Sequence, residues 1–252
     1  MIIGEIERMH ASDTEPAPNA ALRVLDAPTE LAELCELIAD VFGEPVPNVI
    51  DMRGSLLAGG VCIGAFAEDQ MVGGLWSFAG WDQRGPFQHS HTMCVSSKVQ
   101  GRGIGRALKR FHAEWCRERG VDRICWTFDP LMAGNARFNL NRIGAVGDRW
   151  IEDCYGSMSG LLDPATRTGG AAPSDRLSVT WVLSGARVEA RGTTTLVGIP
   201  HTGDSPKALS AEEAVLRLRN ELRPMIDAGA IVTGVERLDD GLAYRVEHRN
   251  EE

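Results

Sequence analysis

Lysine is scarce in this chain. Of 26 basic residues only three are lysine (Lys98, Lys109, Lys207), so positive charge rests almost wholly on arginine, which suits bidentate contacts without naming a partner. Positive charge is itself in deficit. The formal net charge of −9 argues against a nucleic-acid surface. Long apolar runs are missing: nothing approaches the roughly 18–20 residues of a membrane span, and no basic region followed by an apolar core opens the chain. Cys-x-x-Cys pairs are missing too. The six cysteines (35, 62, 94, 116, 125, 154) are scattered, mostly inside apolar runs and without His partners at metal spacing. Neither a disulfide framework nor structural zinc is therefore expected, and a reduced cytoplasm is the expected setting.

What is present is ordinary for a globular protein: 43% apolar and 24% charged residues over 252 positions, enough for one large domain or two small ones. Residues 1–20 read as a tail or edge segment. A strand is expected at 22–25, then a helix carrying the stripe Leu31, Leu34, Cys35, Ile38 and Phe42, closed by Gly43 and two prolines. A second short helix at 49–58 breaks at Gly59-Gly60. Strands follow at 61–67 and 71–78 as a hairpin, then at 90–95. Ile104, Leu108, Phe111 and Trp115 mark a helix face, followed by a strand at 123–128, a helix at 135–143 and a strand through 150–154. Residues 161–176 lie in a Gly-, Pro- and Ser/Thr-rich boundary. Beyond it, strands are expected at 177–183 and 194–199. A helix opened by the capping box Ser210-x-x-Glu213 comes next, and a hairpin turns around Asp239-Asp-Gly241.

Between the strand at 90–95 and the next helix lies Gln100-Gly101-Arg102-Gly103-Ile104-Gly105-Arg106. Alternating glycines leave backbone N–H groups unshielded, and the helix start adds its own free N–H groups and the positive end of its dipole. Such a loop suits a polyanion such as phosphate or pyrophosphate; on composition alone a glycine-rich turn fits equally. A Walker loop would need Lys then Ser or Thr after the last glycine, where Arg106 and Ala107 stand. A dinucleotide fingerprint would need glycine at 106.

The stretch 100–105, after a strand ending in Val95, resembles the pyrophosphate loop of the GNAT acyltransferase superfamily. The order of elements over about residues 20–160 is similar to that fold as well. The resemblance implies an α/β architecture with a mixed sheet whose two central strands splay apart around acyl-CoA. The expected division is a GNAT domain at 21–160, a boundary at 161–176 and an α/β extension at 177–252. It further implies that residues 100–106 hold the pyrophosphate of acetyl-CoA or a related acyl-CoA, that a main-chain amide within Met93, Cys94 and Val95 polarises the thioester, and that Asn135 contacts the cofactor. Asn139, one turn later, can face the same groove. The segment 129–145, with Asp129-Pro-Leu, Asn135-Ala and Ile143-Gly-Ala, resembles a subgroup of GNAT proteins with an added C-terminal region.

One departure matters. The family's tyrosine, the acid for the leaving thiolate, maps to Leu140, and the Phe after Gly144 is Ala145. Tyr155 is the candidate substitute, with a half-buried phenol in water as the alternative. Asp129 is either a base or amine-binding carboxylate, or a turn residue before proline. His89 and His91 should share a face of the strand with Met93 and Val95, and His91 can serve as a base through water; no third ligand accompanies them, so no metal is expected. Cys94 is a packing residue rather than a nucleophile, for want of a His-Asp neighbourhood. The expected function is transfer of a short acyl group from acyl-CoA to an amine of a small molecule by direct attack, with a non-catalytic acyl-CoA-binding module as the competing class. The C-terminal region packs on the sheet, makes a homodimer contact or covers the acceptor pocket.

Overall fold

The computed structural model describes residues 20–43, 47–156, 173–185, 192–202, 208–239 and 241–248. Of the tail expected at 1–20, residues 1–19 lie outside them, as do residues 161–172 of the boundary expected at 161–176. One mixed sheet runs through the described residues. Its strands are β1 (Ala21–Leu25), β2 (Val61–Ala67), β3 (Gln70–Asp82), β4 (Gly85–Val95), β5 (Arg123–Phe128), β6 (Val146–Ile151), β7 (Arg176–Val182), β8 (Thr194–Gly198), β9 (Ile231–Leu238) and β10 (Gly241–Glu247). The spatial order is β1-β2-β3-β4-β5-β7-β6-β9-β10-β8. The helices are α1 (Pro28–Phe42), α2 (Val49–Leu57), α3 (Ile104–Arg117), the short α4 (Ala133–Ala136) and α5 (Ala211–Asp227).

Two apolar clusters clasp the first half of the sheet. Leu31, Leu34 and Ile38 of α1 and Met52 of α2 pack with Trp76 and Cys94. Ile104 and Leu108 of α3 pack with Ile63, Val72 and Leu75. Since neighbouring strand residues point to opposite faces, Leu75 and Trp76 fall to different helices. Phe42, expected on the buried stripe of α1, is instead 61% exposed at the last position of the helix. A third cluster joins Ala113 and Cys116 of α3 to Leu140, Leu218 and Leu222, and to the strands from β5 to β10.

β7 enters the sheet between β5 and β6, pairing antiparallel with both. Residues 177–252 thus supply β7 to β10 of the same sheet that residues 21–151 begin. Asp175, just before β7, accepts from Arg219 of α5 (2.7 and 2.5 Å) and from the Trp150 indole (2.7 Å).

Several expected boundaries shift. β3 and β4 form a longer hairpin than 71–78 and 90–95, turning at Gln83-Arg84. Its added polar positions are satisfied by long-range bonds: buried Gln88 donates to the Gly59 carbonyl (2.8 Å) and accepts from Ser77 (2.7 Å). The helix expected at 135–143 is α4 followed by a wider π turn at Arg137–Arg142. The strand expected to reach Cys154 ends at Ile151, and Tyr155 sits in the turn that follows.

Candidate acyl-CoA site

β4 and β5 are the only parallel neighbours in the described sheet, and they pair at just two positions, Gln88 with Ile124 and His89 with Cys125. Arg123 locks this closed end. Its guanidinium makes a two-pronged bond to Asp82 (3.0 and 2.7 Å) and a third to the Gly85 carbonyl (2.9 Å), holding the Asp82 carboxyl down at about 2. Toward their C-terminal ends the strands diverge. β5 stays paired with β7 along its whole length, so β4 is the strand that leaves.

A bulge redirects it. Trp76 faces Thr92 and Ser77 faces Ser90, so His91 is the extra residue on β4. The bulge also inverts which side chains share a face. His89 and His91 both lie against Phe78, with ring centroids 6.3 and 4.7 Å away, whereas Met93 and Val95 pack with Ile104 and Leu108 on the α3 side. The simple alternation that would place all four together therefore fails at position 91. The main-chain direction follows as well. Ser96 donates to Val72 of β3, so by alternation Cys94 also points its amide at β3, while Met93 and Val95 turn theirs toward the gap. Cys94 itself is buried, and burial pushes its thiol up to about 12; it packs rather than reacts.

Beyond Val95 the chain enters the glycine loop. Gly101 and Gly103 have φ of +78° and +82°, with nothing within 4 Å of where a Cβ would sit. Both features favour glycine: the backbone is left-handed and its surface stays open. Gln100 donates to the Val95 carbonyl (3.1 Å), pinning the loop to the end of β4. Gly103 is the N-cap of α3 and has no side-chain cap, leaving the first-turn amides to face outward. Ile104 is buried and anchors the helix, while Arg102 is exposed. Gly105 lies against Met93 and Phe138 at ordinary contact distance, so the helix passes close to the gap. These residues fit a pyrophosphate held by main-chain amides.

Within the divergence lies a cavity of about 700 Å³ that reaches both faces of the sheet. On the α1–α2 side its walls include Phe42, Asp51, Trp76 and His91; on the α3–α4 side they include Lys109, Asn135 and Asn139. Asn139 is buried, accepts from the Trp126 indole (3.1 Å) and donates to Asn135 (3.2 Å). Both asparagines thus face one groove. Leu140, at the family's tyrosine position, is buried in the core and does not line the cavity.

Tyr155 does line it. It is 44% exposed, with the Arg176 guanidinium 5.0 Å from its ring centroid. Its turn is held by Ser174, whose hydroxyl accepts from the Tyr155 amide (3.0 Å) and donates to the Gly156 carbonyl (2.9 Å). His91 opens onto the cavity, and its apolar surroundings hold its pKa below the usual value. Asp129 is not brought there. Its carboxylate accepts from the Leu131 amide (2.9 Å) and its carbonyl from the Met132 amide, the turn role open to an Asp before Pro.

Three residues that sequence reasoning passed over stand in the wall: Ser90, Trp126 and Lys109. Lys109 is only 2% exposed; its ammonium donates to Ser90 Oγ (3.0 Å) and lies 3.5 Å from the Trp126 ring centroid. A usable signal existed. Gly105, Lys109, His112 and Cys116 recur at helical spacing beside the recognised apolar stripe, and three of the four are buried.

Splayed parallel strands, a bulge at the splay and a glycine loop before a helix are the arrangement that the resemblance to the GNAT fold implies. Residues 31–138 match the model of the acetyltransferase (GNAT) family. No curated protein matches the sequence. Among solved structures, the ribosomal-protein-S18-alanine N-acetyltransferase of Escherichia coli is 13% identical, with 66% of this chain and 96% of that one covered at a TM-score of 0.52. Arabidopsis thaliana Naa50, solved with the bisubstrate analogue CoA-Ac-MVNAL, is 16% identical, with 65% and 98% covered at 0.50. Ard1 from Thermoplasma volcanium is 13% identical, with 65% and 97% covered, also at 0.50. At these identities the likeness is one of fold. No helix among the described residues is long and apolar enough to cross a membrane.

Proposed function

We propose that the protein moves a short acyl group from acyl-CoA to an amine of a small molecule by direct attack in a ternary complex. The observation that carries this reading is the cavity itself, which passes through the divergence of β4 and β5 and joins the glycine-loop side to the α1–α2 side. Donor and acceptor can then meet from opposite faces without a covalent enzyme intermediate. The amine lone pair attacks the thioester carbonyl carbon, the carbonyl oxygen is stabilised by a gap-facing amide of Met93 or Val95, the C–S bond breaks, and the thiolate takes up a proton as the new amide gives one away.

His91 suits the base, acting through water, because its depressed pKa keeps the ring neutral at pH 7. Tyr155 suits the acid or the group that orients the amine, since it lines the same cavity and Leu140 cannot serve. Asp51 is the only carboxylate among the described lining residues and lies on the acceptor side, where it favours a cationic amine.

Burial of Leu140 favours a second reading, a module that holds acyl-CoA without turning it over. Thiol release from acetyl-CoA across a panel of amines separates the two. Acceptor-dependent release supports the enzyme; CoA protection against melting with no release from any amine supports the module.

A further inference from the structure

Lys109 is buried at the closed end of the splay without an anion. Among the described residues no carboxylate pairs with it; its contacts are the neutral Ser90 hydroxyl and the face of Trp126. The other titratable groups nearby give no negative partner at neutral pH: His112, one turn on along α3, has no bonded partner on either ring nitrogen, and the Cys116 thiol is pushed up to about 12 by burial. Desolvation brings the ammonium down to about 7, so its charged form is only marginally held at neutral pH, with an aromatic face and a hydroxyl alone to offset its burial.

The position of this group along the strand gives it meaning. The gap-facing amides of Met93 and Val95 lie toward the glycine loop, and Ser90 lies on the other side of the bulge, toward the closed pairing at Gln88 and His89. At roughly 3.3 Å per residue, Ser90 sits about 10 Å below Met93. An acyl chain whose thioester carbonyl binds at Met93 or Val95 and whose tail points into the splay ends beside Lys109, Ser90 and Trp126. The same cavity carries a second cation, Arg176, and its lone carboxylate, Asp51, lies on the opposite face.

From this juxtaposition we infer that the donor is a short dicarboxylic acyl-CoA, of malonyl to succinyl length, whose distal carboxylate is bound by Lys109 and Ser90. Lys109 is a specificity-determining residue here, and the reacting bonds are unchanged: the thioester C–S bond breaks, the amide C–N bond forms, and the distal carboxylate is carried across intact. The ion pair converts an isolated buried ammonium into a paired one, which favours the acidic chain over acetyl.

The inference rests on the acyl-CoA reading above, and one titration series tests both. The purified full chain is titrated with CoA, acetyl-CoA, malonyl-CoA and succinyl-CoA by calorimetry, and thiol release is followed with each thioester. A charge-assisted bond to a buried ammonium should make malonyl-CoA or succinyl-CoA bind about tenfold or more tighter than acetyl-CoA. Lys109→Met should remove that preference, and Ser90→Ala should weaken it without abolishing it. Equal or better binding of acetyl-CoA by the wild-type protein overturns the inference and leaves the acyl-CoA reading standing. Failure to bind any CoA species overturns both. If Lys109→Met does not fold, the wild-type ranking and Ser90→Ala decide: a weakened preference in Ser90→Ala supports the pocket, and an unchanged preference overturns it.

Discussion

The hydroxyl of Tyr244 on β10 donates to the carbonyl oxygen of Pro130 at 2.6 Å, and the ring is fully buried. The bond joins the C-terminal hairpin to the turn that leaves β5 and leads into Asn135 and Asn139. Asn141 makes a second tie of the same kind, exchanging bonds with the Val235 main chain of β9 (2.9 and 3.2 Å). Residues beyond the family-matched span therefore hold one wall of the acyl-CoA cavity in place.

Tyr244→Phe should lower stability by about 1–3 kcal/mol, because it leaves a buried carbonyl without its donor while preserving the ring's packing. Denaturant melts with and without CoA check this. The loss should appear in the apo protein and persist with CoA bound; no change in midpoint would mean that water replaces the hydroxyl.

His112 predicts an acid-sensitive fold. It is fully buried, both ring nitrogens lack partners among the described residues, and burial with Lys109 nearby lowers its pKa to about 3. An unfolded histidine titrates near 6.5, so below that pH the unfolded chain binds a proton that the folded chain refuses, and stability falls as pH drops from about 6.5 toward 3. His112→Leu should match or exceed the wild-type melting temperature at pH 7, and its advantage should grow as pH falls. Parallel melts at pH 7 and 5 with a constant difference between the proteins would refute this.

The glycine loop, the two-helix start and the missing tyrosine at Leu140 were legible because each is encoded locally: glycine spacing, apolar period and a motif offset. Contacts with distant partners decided what was not legible. Polar residues such as Gln88 and His89 gave no strand signal, since Gln88 is satisfied by Ser77 and Gly59 across the sheet. The bulge at His91 exists only in the register with β3, so alternation along β4 alone misassigned Met93 and Val95. β7 comes between β5 and β6, and nothing in a linear sequence states such an insertion. Lys109 was passed over for a physical reason too: a lysine on an amphipathic helix is normally solvated, and only the opening of β4 from β5 makes room for this one inside.

Asp175 should be a stability hinge near the site. Burial alone would raise its pKa, but the bonds from Arg219, the Asp153 amide and the Trp150 indole outweigh it and hold the carboxylate below its usual value. Asp175→Ala leaves Arg219 only the more distant Glu152 and Asp153 (both 3.8 Å) and strands the indole, and should cost about 1–3 kcal/mol, read by chemical denaturation. Because Ser174 next door holds the Tyr155 turn, turnover should fall as well, more than CoA affinity does; a variant with full stability would show that the pair is dispensable.

The loop assignment has its sharpest test at Gly103, where strain and charge can be varied separately. Any side chain there must adopt φ near +82°, yet its Cβ meets nothing within 4 Å. Gly103→Ala therefore probes backbone strain alone and should cost about 1 kcal/mol of stability, with CoA affinity falling only modestly. Gly103→Glu adds the same strain plus a carboxylate over the amides expected to bind pyrophosphate, so its affinity for CoA should fall more than tenfold below that of the alanine variant at equal fold stability. The gap between the variants should narrow as salt rises, since an exposed like-charge repulsion is screened. If the glutamate variant binds CoA as tightly as the alanine variant, the polyanion does not sit on this loop.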